Sequence, residues 1–382
     1  MPNYDYIIIG AGASGLLLAD ALGRDDFFSN KSILILDKDI KNSNDRTWCF
    51  WENASGEFDA ILHKTWPEIY FAGNELQLAT SIDPYQYKML RGIDFYDHYL
   101  ERVTGYANVT FIQESVSAIV VKEAEVQVKT EGSSYIAKKV FNSIFDYKKL
   151  LNQTKYPVLQ QHFLGWFIKT EKPVFNTEQA TFMDFSIPQK ENTRFMYVLP
   201  FSETHALVEY TLFSENTLEK EEYENAIKSY LKDKLAVAEY TITEVEQGNI
   251  PMTCFDFSKG NSENILNIGI AGGWAKPSTG YTFYNSTKKV KELVAYLKSG
   301  KSLSDFSKKT RFWYYDLLLL DILQSDNHLG GSIFEAMFKK RKPQFILKFL
   351  DEETTFWEEL QIIWACPKSP FVKALFKRLL RY

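Results

Sequence analysis

The spacing of apolar and polar residues at the start of the chain predicts a compact supersecondary unit. An apolar run over residues 4–9 leads into a glycine-rich turn, and residues 16–22 have helical composition. A second apolar run over residues 32–36 ends at Asp37. Largely apolar runs without alternation are typical of strands buried on both faces of a parallel sheet. The order strand, turn, helix, strand therefore predicts a βαβ unit.

The next segment alternates between loop, helix and strand patterns. Residues 42–52 are polar and then aromatic with no clear period, which predicts a loop beside the first turn. The spacing over residues 85–104 predicts a helix. Residues 138–144 predict a strand that returns to the first sheet. Alternating runs that predict antiparallel strands occupy residues 109–112, 117–121 and 125–130.

Short aromatic and β-branched runs dominate the middle of the chain and predict a mixed sheet. These runs occupy residues 163–170, 180–185, 194–200 and 205–213. A helix is predicted within this sheet over residues 218–235. A buried strand over residues 265–270 then precedes a long helix over residues 282–299, and the pattern from residue 311 onward is helical.

Three glycines lie between the first predicted strand and helix, in the spacing Gly10-x-Gly12-x-x-Gly15. In this context the first glycine allows a tight turn, the second lets a pyrophosphate approach the backbone, and the third allows close helix–strand packing. The helix N-terminus offers free N–H groups to the phosphates. Asp37, about 20 residues further on, can accept hydrogen bonds from ribose hydroxyls. The unit predicts a dinucleotide site; a glycine turn with an unrelated acid is the alternative.

A second glycine-rich turn far downstream favours FAD over NAD, because it suits an extended ligand with a distant head. The helix that follows would point free N–H groups at the flavin, where a reduced flavin carries negative charge. A plain strand–turn–helix corner is the alternative interpretation. The cofactor-binding candidates in this segment are Gly269, Gly272, Gly273, Pro277 and Gly280.

These patterns predict an α/β fold in which a Rossmann-type FAD-binding domain is interleaved with a mixed β-sheet substrate domain and followed by a helical C-terminal region. The FAD-binding domain is expected to comprise residues 1–155 and 261–310. The substrate domain is expected over residues 156–260, and the helical region over residues 311–382.

Composition excludes several classes of protein. The formal net charge of −5 gives no nucleic-acid signature. The three cysteines are far apart and the five histidines show no metal-ligand spacing, so no metal site is expected. Aromatic residues make up 15% of the chain, which fits either a large aromatic core or an aromatic-lined pocket for an apolar ligand.

Several motifs resemble those of the lycopene cyclase family of flavoproteins. Beyond the glycine turns they include Asp-Arg-Thr-Trp-Cys-Phe-Trp over residues 45–51, Tyr-Lys-Met-Leu-Arg-Gly-x-Asp-Phe-Tyr over residues 87–96, Phe-Met-Tyr-x-Leu-Pro-Phe over residues 195–201, and Leu-Val-Glu-Tyr-Thr over residues 207–211. The resemblance implies closure of β-ionone rings at the ends of lycopene and other acyclic-ended carotenoids, giving γ- and β-carotene. It also implies that reduced FAD is required without net redox change, with NAD(P)H as the electron source.

The resemblance and the chemistry together single out Glu209 as the catalytic acid. Ring closure needs a proton on a terminal alkene, and a carboxylic acid in an apolar pocket keeps its proton because burial disfavours the anion. On an alternating strand Glu209 would share a face with Leu207 and Thr211, and a glutamate on an edge strand that faces water is the alternative. The family often has two consecutive acids here, but this chain has Tyr210 in the second position. Related hydroxylases carry Asp where this chain has Ile270, which leaves the ribityl contact unassigned.

A hydrocarbon substrate implies contact with a bilayer. The segment from residue 367 to 382 has five cations and no acid, with apolar residues near one helical face. It predicts a helix on an anionic membrane surface, with a terminal helix docked on the protein as the alternative. No transmembrane or signal segment is recognised. We therefore expect a cytoplasmic protein peripherally associated with the inner face of the membrane. The five cations are Lys368, Lys373, Lys377, Arg378 and Arg381.

Two other functions fit the same sequence. A redox flavoprotein, either an FAD-dependent monooxygenase or a prenyl-chain reductase, would consume reductant in step with its product. A carotenoid-binding protein that keeps FAD for structure would bind lycopene without converting it.

Overall fold

The computed structural model describes residues 1–122 and 125–380. The strands are β1 (Asn3–Ile9), β2 (Ile33–Asp37), β3 (Thr47–Asn53), β4 (Lys64–Trp66), β5 (Glu68–Ala72), β6 (Gln77–Ser81), β7 (Tyr85–Arg91), β8 (Val109–Gln113), β9 (Val116–Lys122), β10 (Glu125–Thr130), β11 (Ser134–Asn142), β12 (Leu159–Thr170), β13 (Gln179–Asp184), β14 (Thr193–Ser202), β15 (His205–Ser214), β16 (Tyr240–Met252) and β17 (Ile265–Asn267).

The helices are α1 (Ala13–Gly23), α2 (Gly92–Gly105), α3 (Tyr147–Leu151), α4 (Lys220–Asp233), α5 (Phe283–Lys298), α6 (Arg311–Ser325), α7 (Gly330–Lys340), α8 (Pro343–Leu350), α9 (Phe356–Ala365) and α10 (Lys368–Leu379).

The first sheet carries the predicted βαβ unit. Strands β8, β2, β1 and β11 are parallel neighbours, β17 pairs in parallel with the end of β11, and β10 and β9 extend the sheet antiparallel. One face packs on α1, α2 and α5 through side chains such as Leu16, Phe95 and Leu293. Burial on both faces explains why β1 and β2 are apolar at consecutive positions.

The second sheet is mixed, in the order β16-β12-β15-β14-β13-β5-β6. One face packs on α4, and the other packs on α6 to α9. On the face that packs on α6 to α9, Phe185 stacks on Phe334 of α7 with 5.7 Å between ring centroids. Strands β5 and β6 join this sheet although they come from the range 1–155, so the chain enters the second sheet earlier than residue 156.

A third, three-stranded sheet, β3-β7-β4, corrects two predictions. The predicted loop over residues 42–52 is wrong from Thr47 onward, because β3 pairs along its length with β7. The predicted helix over residues 85–104 is wrong up to Arg91 and correct from Gly92 onward. Both faces of β3 carry aromatic side chains in contact with other layers: Trp48 stacks on Phe283, while Trp51 meets Tyr281 edge to face. A strand buried on both faces shows no alternation, which hid it in the sequence.

The remaining predicted elements form with small changes of boundary. Strand β8 is the exception in pairing: it runs parallel to β2 and not in an antiparallel ladder. The strand expected over residues 265–270 ends at Asn267, and a short 3-10 turn over Gly269–Gly272 follows it. The C-terminal region is helical, as expected.

Candidate active site

A cavity of about 610 Å³ is lined by residues of the second sheet, of β3 and β7 in the third sheet, and of the start of α1. At one end it reaches the first glycine turn and the start of α1, and it also reaches the segment that leads into α5. Glu209 lies on its wall as well. The structure therefore brings the two predicted glycine segments and the predicted acid to one cavity.

The three glycines of the first turn differ in what surrounds them. Gly10 has a φ of +98°, a backbone conformation that side chains rarely adopt. A Cβ at Gly15 would overlap the carbonyl oxygen of Gly10 and lie 3.3 Å from the Ile8 side chain, whereas a Cβ at Gly12 would meet no atom within 4 Å. Gly12 is also the N-cap residue of α1, so no side chain at this position caps the free N–H groups of the helix. The first and third glycines therefore serve the fold, and the second leaves open space at a helix N-terminus.

Asp37 lies where β2 ends, beside this turn. Its Oδ2 accepts a hydrogen bond from the backbone N–H of Ala11 at 2.5 Å, and its Oδ1 accepts one from the N–H of Asp39 at 2.8 Å. Lys41 Nζ lies 3.6 Å from Oδ2. The carboxylate is thus held at the edge of the glycine turn, although Asp37 is not among the residues that line the cavity.

The second glycine segment lies only partly on the cavity. Gly269 and Gly280 line it, with φ angles of +60° and +72° that favour glycine. Gly272, Gly273 and Pro277 are not among the lining residues. Gly273, with a φ of +71°, ends the 3-10 turn and so has a structural task.

Two buried polar atoms on the cavity wall show that it suits a polar ligand. Among the described residues, Gln161 Oε1 and Thr279 Oγ1 are buried without a hydrogen-bond partner. Buried polar groups are normally satisfied, so unsatisfied ones at a cavity indicate a missing partner. With the open space at Gly12, they give the cavity features that fit a dinucleotide cofactor.

Glu209 is buried, with 8% of its surface exposed. The predicted alternation of β15 is confirmed: Leu207 and Thr211 line the cavity with Glu209, while Val208 and Tyr210 pack toward α4. Thr211 Oγ1 donates a hydrogen bond to Glu209 Oε1 at 2.5 Å. Burial raises the pKa of Glu209 well above its usual value, and the nearby Glu246 carboxyl raises it further. Both effects favour the protonated form of the Glu209 carboxyl.

Sequence reasoning missed the second carboxyl, Glu246. It lies on β16 and lines the same cavity. Gly165 of β12 pairs with Glu209 on one side and Glu246 on the other. Thr47 Oγ1 donates a hydrogen bond to Glu246 Oε2 at 2.6 Å. The motif over residues 45–51, which includes Thr47, therefore contributes to the site. The pKa of Glu246 is also raised, mainly by burial. No local pattern marks this residue, because its partners come from distant strands.

A cluster of protonated hydroxyl and thiol groups lies beside the carboxyls. Tyr197 pairs with Glu209 across β14 and β15, and its hydroxyl lies 2.5 Å from that of Tyr87. The Tyr281 hydroxyl lies 3.5 Å from that of Tyr87. Burial raises the pKa of each tyrosine and of the Cys49 thiol, so none of them supplies a competing negative charge near neutral pH.

Some aromatic residues line the cavity, where their ring faces can stabilise a cation, and others pack elsewhere. Trp48, Phe182 and Tyr197 line it. Trp166 packs toward α4 and Trp274 packs in the core below α5. The aromatic residues thus fit both interpretations of the composition: some line the cavity and others fill the cores.

The C-terminal helices expose apolar side chains on the surface. Arg378 does not belong to this surface: it is buried and paired with Asp321 at 2.5 Å. Arg381 lies outside the described residues. None of the described helices is long and apolar enough to span a bilayer. The large exposed side chains of α9, α10 and the residue after it are Phe356, Trp357, Ile363, Trp364, Val372, Leu375, Phe376, Leu379 and Leu380.

Comparison with known proteins supports a common origin with carotenoid enzymes. The family model described as "Lycopene cyclase protein" matches residues 5–376. The lycopene beta-cyclase of Paracoccus sp. (strain N81106 / MBIC 01143) is 26% identical over 296 residues, covering 73% of this chain and 70% of that protein. The lycopene beta-cyclase of Pantoea ananas is 23% identical over 300 residues, covering 74% and 71%.

Solved structures share the fold. A geranylgeranyl bacteriochlorophyll reductase-like protein from Thermoplasma acidophilum superposes with a TM-score of 0.62 at 12% identity, over 99% of this chain and 100% of that chain. A flavoprotein/dehydrogenase from Cytophaga hutchinsonii has a TM-score of 0.57 at 14% identity, over 91% and 92%. The predicted fold class, with a Rossmann-type domain, a mixed sheet and a helical C-terminal region, is confirmed.

Proposed function

The chain belongs to the lycopene cyclase family, and from this premise we propose that it closes β-ionone rings at the ends of lycopene, giving γ- and then β-carotene. The reaction is an isomerisation that depends on reduced FAD. One observation carries the proposal: a buried glutamic acid shares a cavity with both glycine segments. We assign residues 1–155, apart from β5 and β6 of the second sheet, and residues 261–310 to FAD, residues 156–260 to the carotenoid, and residues 311–382 to the helical region.

FAD is proposed to lie along the cavity wall with its pyrophosphate at Gly12 and the start of α1. Gly10 and Gly15 shape that turn, and Asp37 would accept hydrogen bonds from the ribose. The flavin end would lie against Gly269 and Gly280, with Gly272, Gly273 and Pro277 supporting that segment from behind. The reduced flavin supplies negative charge next to a developing cation. NAD(P)H is the proposed source of its electrons.

Glu209 is proposed as the proton donor. Its carboxyl proton passes to the terminal alkene, the neighbouring double bond attacks the resulting cation to form the ring, and loss of a ring-carbon proton leaves the new alkene. The Glu209 carboxylate left by the first step can accept that proton, so the residue is restored. The buried wall around Glu209 excludes water, which would otherwise trap the cation.

The exposed apolar face of α9 and α10 is proposed to rest on the cytoplasmic surface of the membrane, from which the carotenoid enters. Trp357 and Trp364 are 74% and 63% exposed, and indole rings favour the membrane interface. Lys368 Nζ lies 3.8 Å from the centre of the Trp364 ring, so charge and aromatic surface adjoin. Cations beside apolar side chains are typical of helices that lie on anionic bilayers.

Expression in a bacterial host that accumulates lycopene tests the proposal. Chromatography and mass spectrometry should show a ring-closed product with the mass of lycopene. A product that has gained oxygen would identify a monooxygenase, and one that has gained hydrogen would identify a reductase. Lycopene that is bound but unchanged in the presence of reduced FAD would contradict the enzymatic role.

A further inference from the structure

We propose that Glu246 is the positioning partner of Glu209: the two carboxyl groups share one proton across Gly165, which keeps the proton on Glu209 until the polyene arrives. The inference rests on the proposed function. Glu246 forms and breaks no covalent bond with the substrate. It gains no net proton, because Glu209 gives one proton to the alkene and takes one back from the ring carbon. Its negative charge adds to the stabilisation of the cation.

The approach of the two carboxyl groups depends on the residue between them. Gly165 on β12 is the cross-strand neighbour of Glu209 on β15 and of Glu246 on β16. A Cβ at Gly165 would lie 3.3 Å from Glu209 Cβ, 3.3 Å from Glu246 Cγ and 2.8 Å from Leu207 Cδ1. Glycine therefore leaves the gap through which two side chains on non-adjacent strands can meet. An ordinary strand residue would separate them.

The hydrogen bonds define which atoms are available for sharing. Thr211 Oγ1 donates to Glu209 Oε1, and Thr47 Oγ1 donates to Glu246 Oε2. The two carboxyl groups line the same cavity, and the negative charge of Glu246 raises the pKa of Glu209. Two carboxyl groups that share a site do not both ionise readily, so one of them keeps a proton. Each threonine thus holds one oxygen of its carboxyl and leaves the other oxygen for the partner.

The surroundings assign the proton to Glu209. Glu209 is buried, whereas Glu246 is partly exposed to the cavity. The Arg91 guanidinium lowers the pKa of Glu246, although Glu244 acts in the opposite direction and burial still leaves the pKa raised. Arg91 and Glu244 form an ion pair at 2.7 Å, and both act on the pKa of Glu246. The other titratable groups that face the pair are Cys49, Tyr87, Tyr197 and Tyr281.

Infrared titration of the purified chain tests the shared proton without lycopene. The protonated-carboxyl band of Glu209, identified by its loss in Glu209→Gln, should disappear at a pH lower by about one unit or more in Glu246→Gln, since the neighbouring negative charge is gone. Glu246→Asp should restore most of the shift. Glu244→Gln is the matched control on the same strand and should leave the midpoint nearly unchanged.

The same variants separate this proposal from the cyclase proposal. With lycopene in liposomes and reduced FAD, the alkaline limb of the kcat profile should move to lower pH in Glu246→Gln but not in Glu244→Gln. An unchanged infrared midpoint in Glu246→Gln would overturn the pair, whatever the activity. If that variant does not fold, Gly165→Ala provides the test. The added methyl group should separate the two carboxyl groups and lower the midpoint of the Glu209 infrared band. An unchanged midpoint would count against the proposal. Failure of the wild-type chain to cyclise lycopene, with the midpoint shifted as expected, would reject only the cyclase function.

Discussion

The two ends of the cavity differ in the groups that line them: backbone at one end and side chains at the other. The end at α1 is formed by backbone: Gly12 leaves open space, and the helix terminus presents N–H groups without a side-chain cap. The opposite end is formed by side chains: Glu209, Glu246 and Tyr197 come from strands β15, β16 and β14 of one sheet. An end made of backbone can bind a phosphate whatever the pH, whereas an end made of carboxyl groups changes with protonation. Binding and acid chemistry are therefore separable by mutation.

The largest expected effect comes from the carboxyl end. Glu209→Gln keeps the shape and the hydrogen bond from Thr211 but removes the transferable proton. We expect kcat to fall by about 10²–10⁴-fold, the usual contribution of a general acid. FAD retention, measured by absorbance after gel filtration, should be unchanged. The exposed Glu203→Gln is the control and should keep full activity; loss of FAD from Glu209→Gln would show that the two ends are not separable.

A second effect concerns how the later glycine segment is anchored. Lys276 is buried and pairs with Asp316 of α6 and with Glu352, each at 3.1 Å. Lys276→Met leaves the buried Asp316 carboxylate uncompensated and should cost about 3–5 kcal/mol of the free energy of unfolding. Urea denaturation measures it. The exposed pair Lys289–Glu292 provides the control, since Lys289→Met should change stability by about 0–1 kcal/mol. Equal effects of the two variants would show that burial does not matter here.

The backbone end is tested by two glycines that lie in the same turn. Gly15→Ala would force a methyl group against the Gly10 carbonyl and should destabilise the chain by about 1–3 kcal/mol. Gly12→Ala meets no atom, so its Tm should not fall, but its methyl group would occupy the phosphate position and weaken FAD binding by about tenfold or more. Calorimetric titration with FAD gives the affinity. An unchanged affinity for FAD in Gly12→Ala would contradict the proposal that the pyrophosphate binds at this turn.

The smallest expected effect is the pH dependence of stability. The folded chain raises the pKa of Glu209 above its unfolded value, so the folded state binds this proton more tightly. Stability from this group is fully present at pH below the unfolded pKa and is lost as pH rises toward the folded one. Glu209→Gln should therefore raise Tm relative to wild type at pH 8 and much less at pH 4. A difference in Tm that is independent of pH would contradict the raised pKa.

The backbone end was predictable because its information is local. Gly10, Gly12 and Gly15 lie within one strand–turn–helix unit, so their spacing alone indicates their tasks. The carboxyl end was only half predictable. Glu209 could be placed on the correct face of β15 by alternation, but Glu246 becomes its neighbour only through the register of β12 and β16. Strand β3, which brings Thr47 to Glu246, was hidden because aromatic residues occupy both of its faces.

A single-turnover reaction in D₂O tests the central claim, that a solvent-exchanged carboxyl proton starts the ring. Enzyme in excess over lycopene, pre-equilibrated in D₂O with reduced FAD, is quenched and its carotenoids are analysed by mass spectrometry. The account predicts one deuterium in each ring formed and no other change in mass, with ring closure slowed by about 10²–10⁴-fold in Glu209→Gln. A ring without deuterium, or a product that has gained oxygen or a pair of hydrogens, would contradict it.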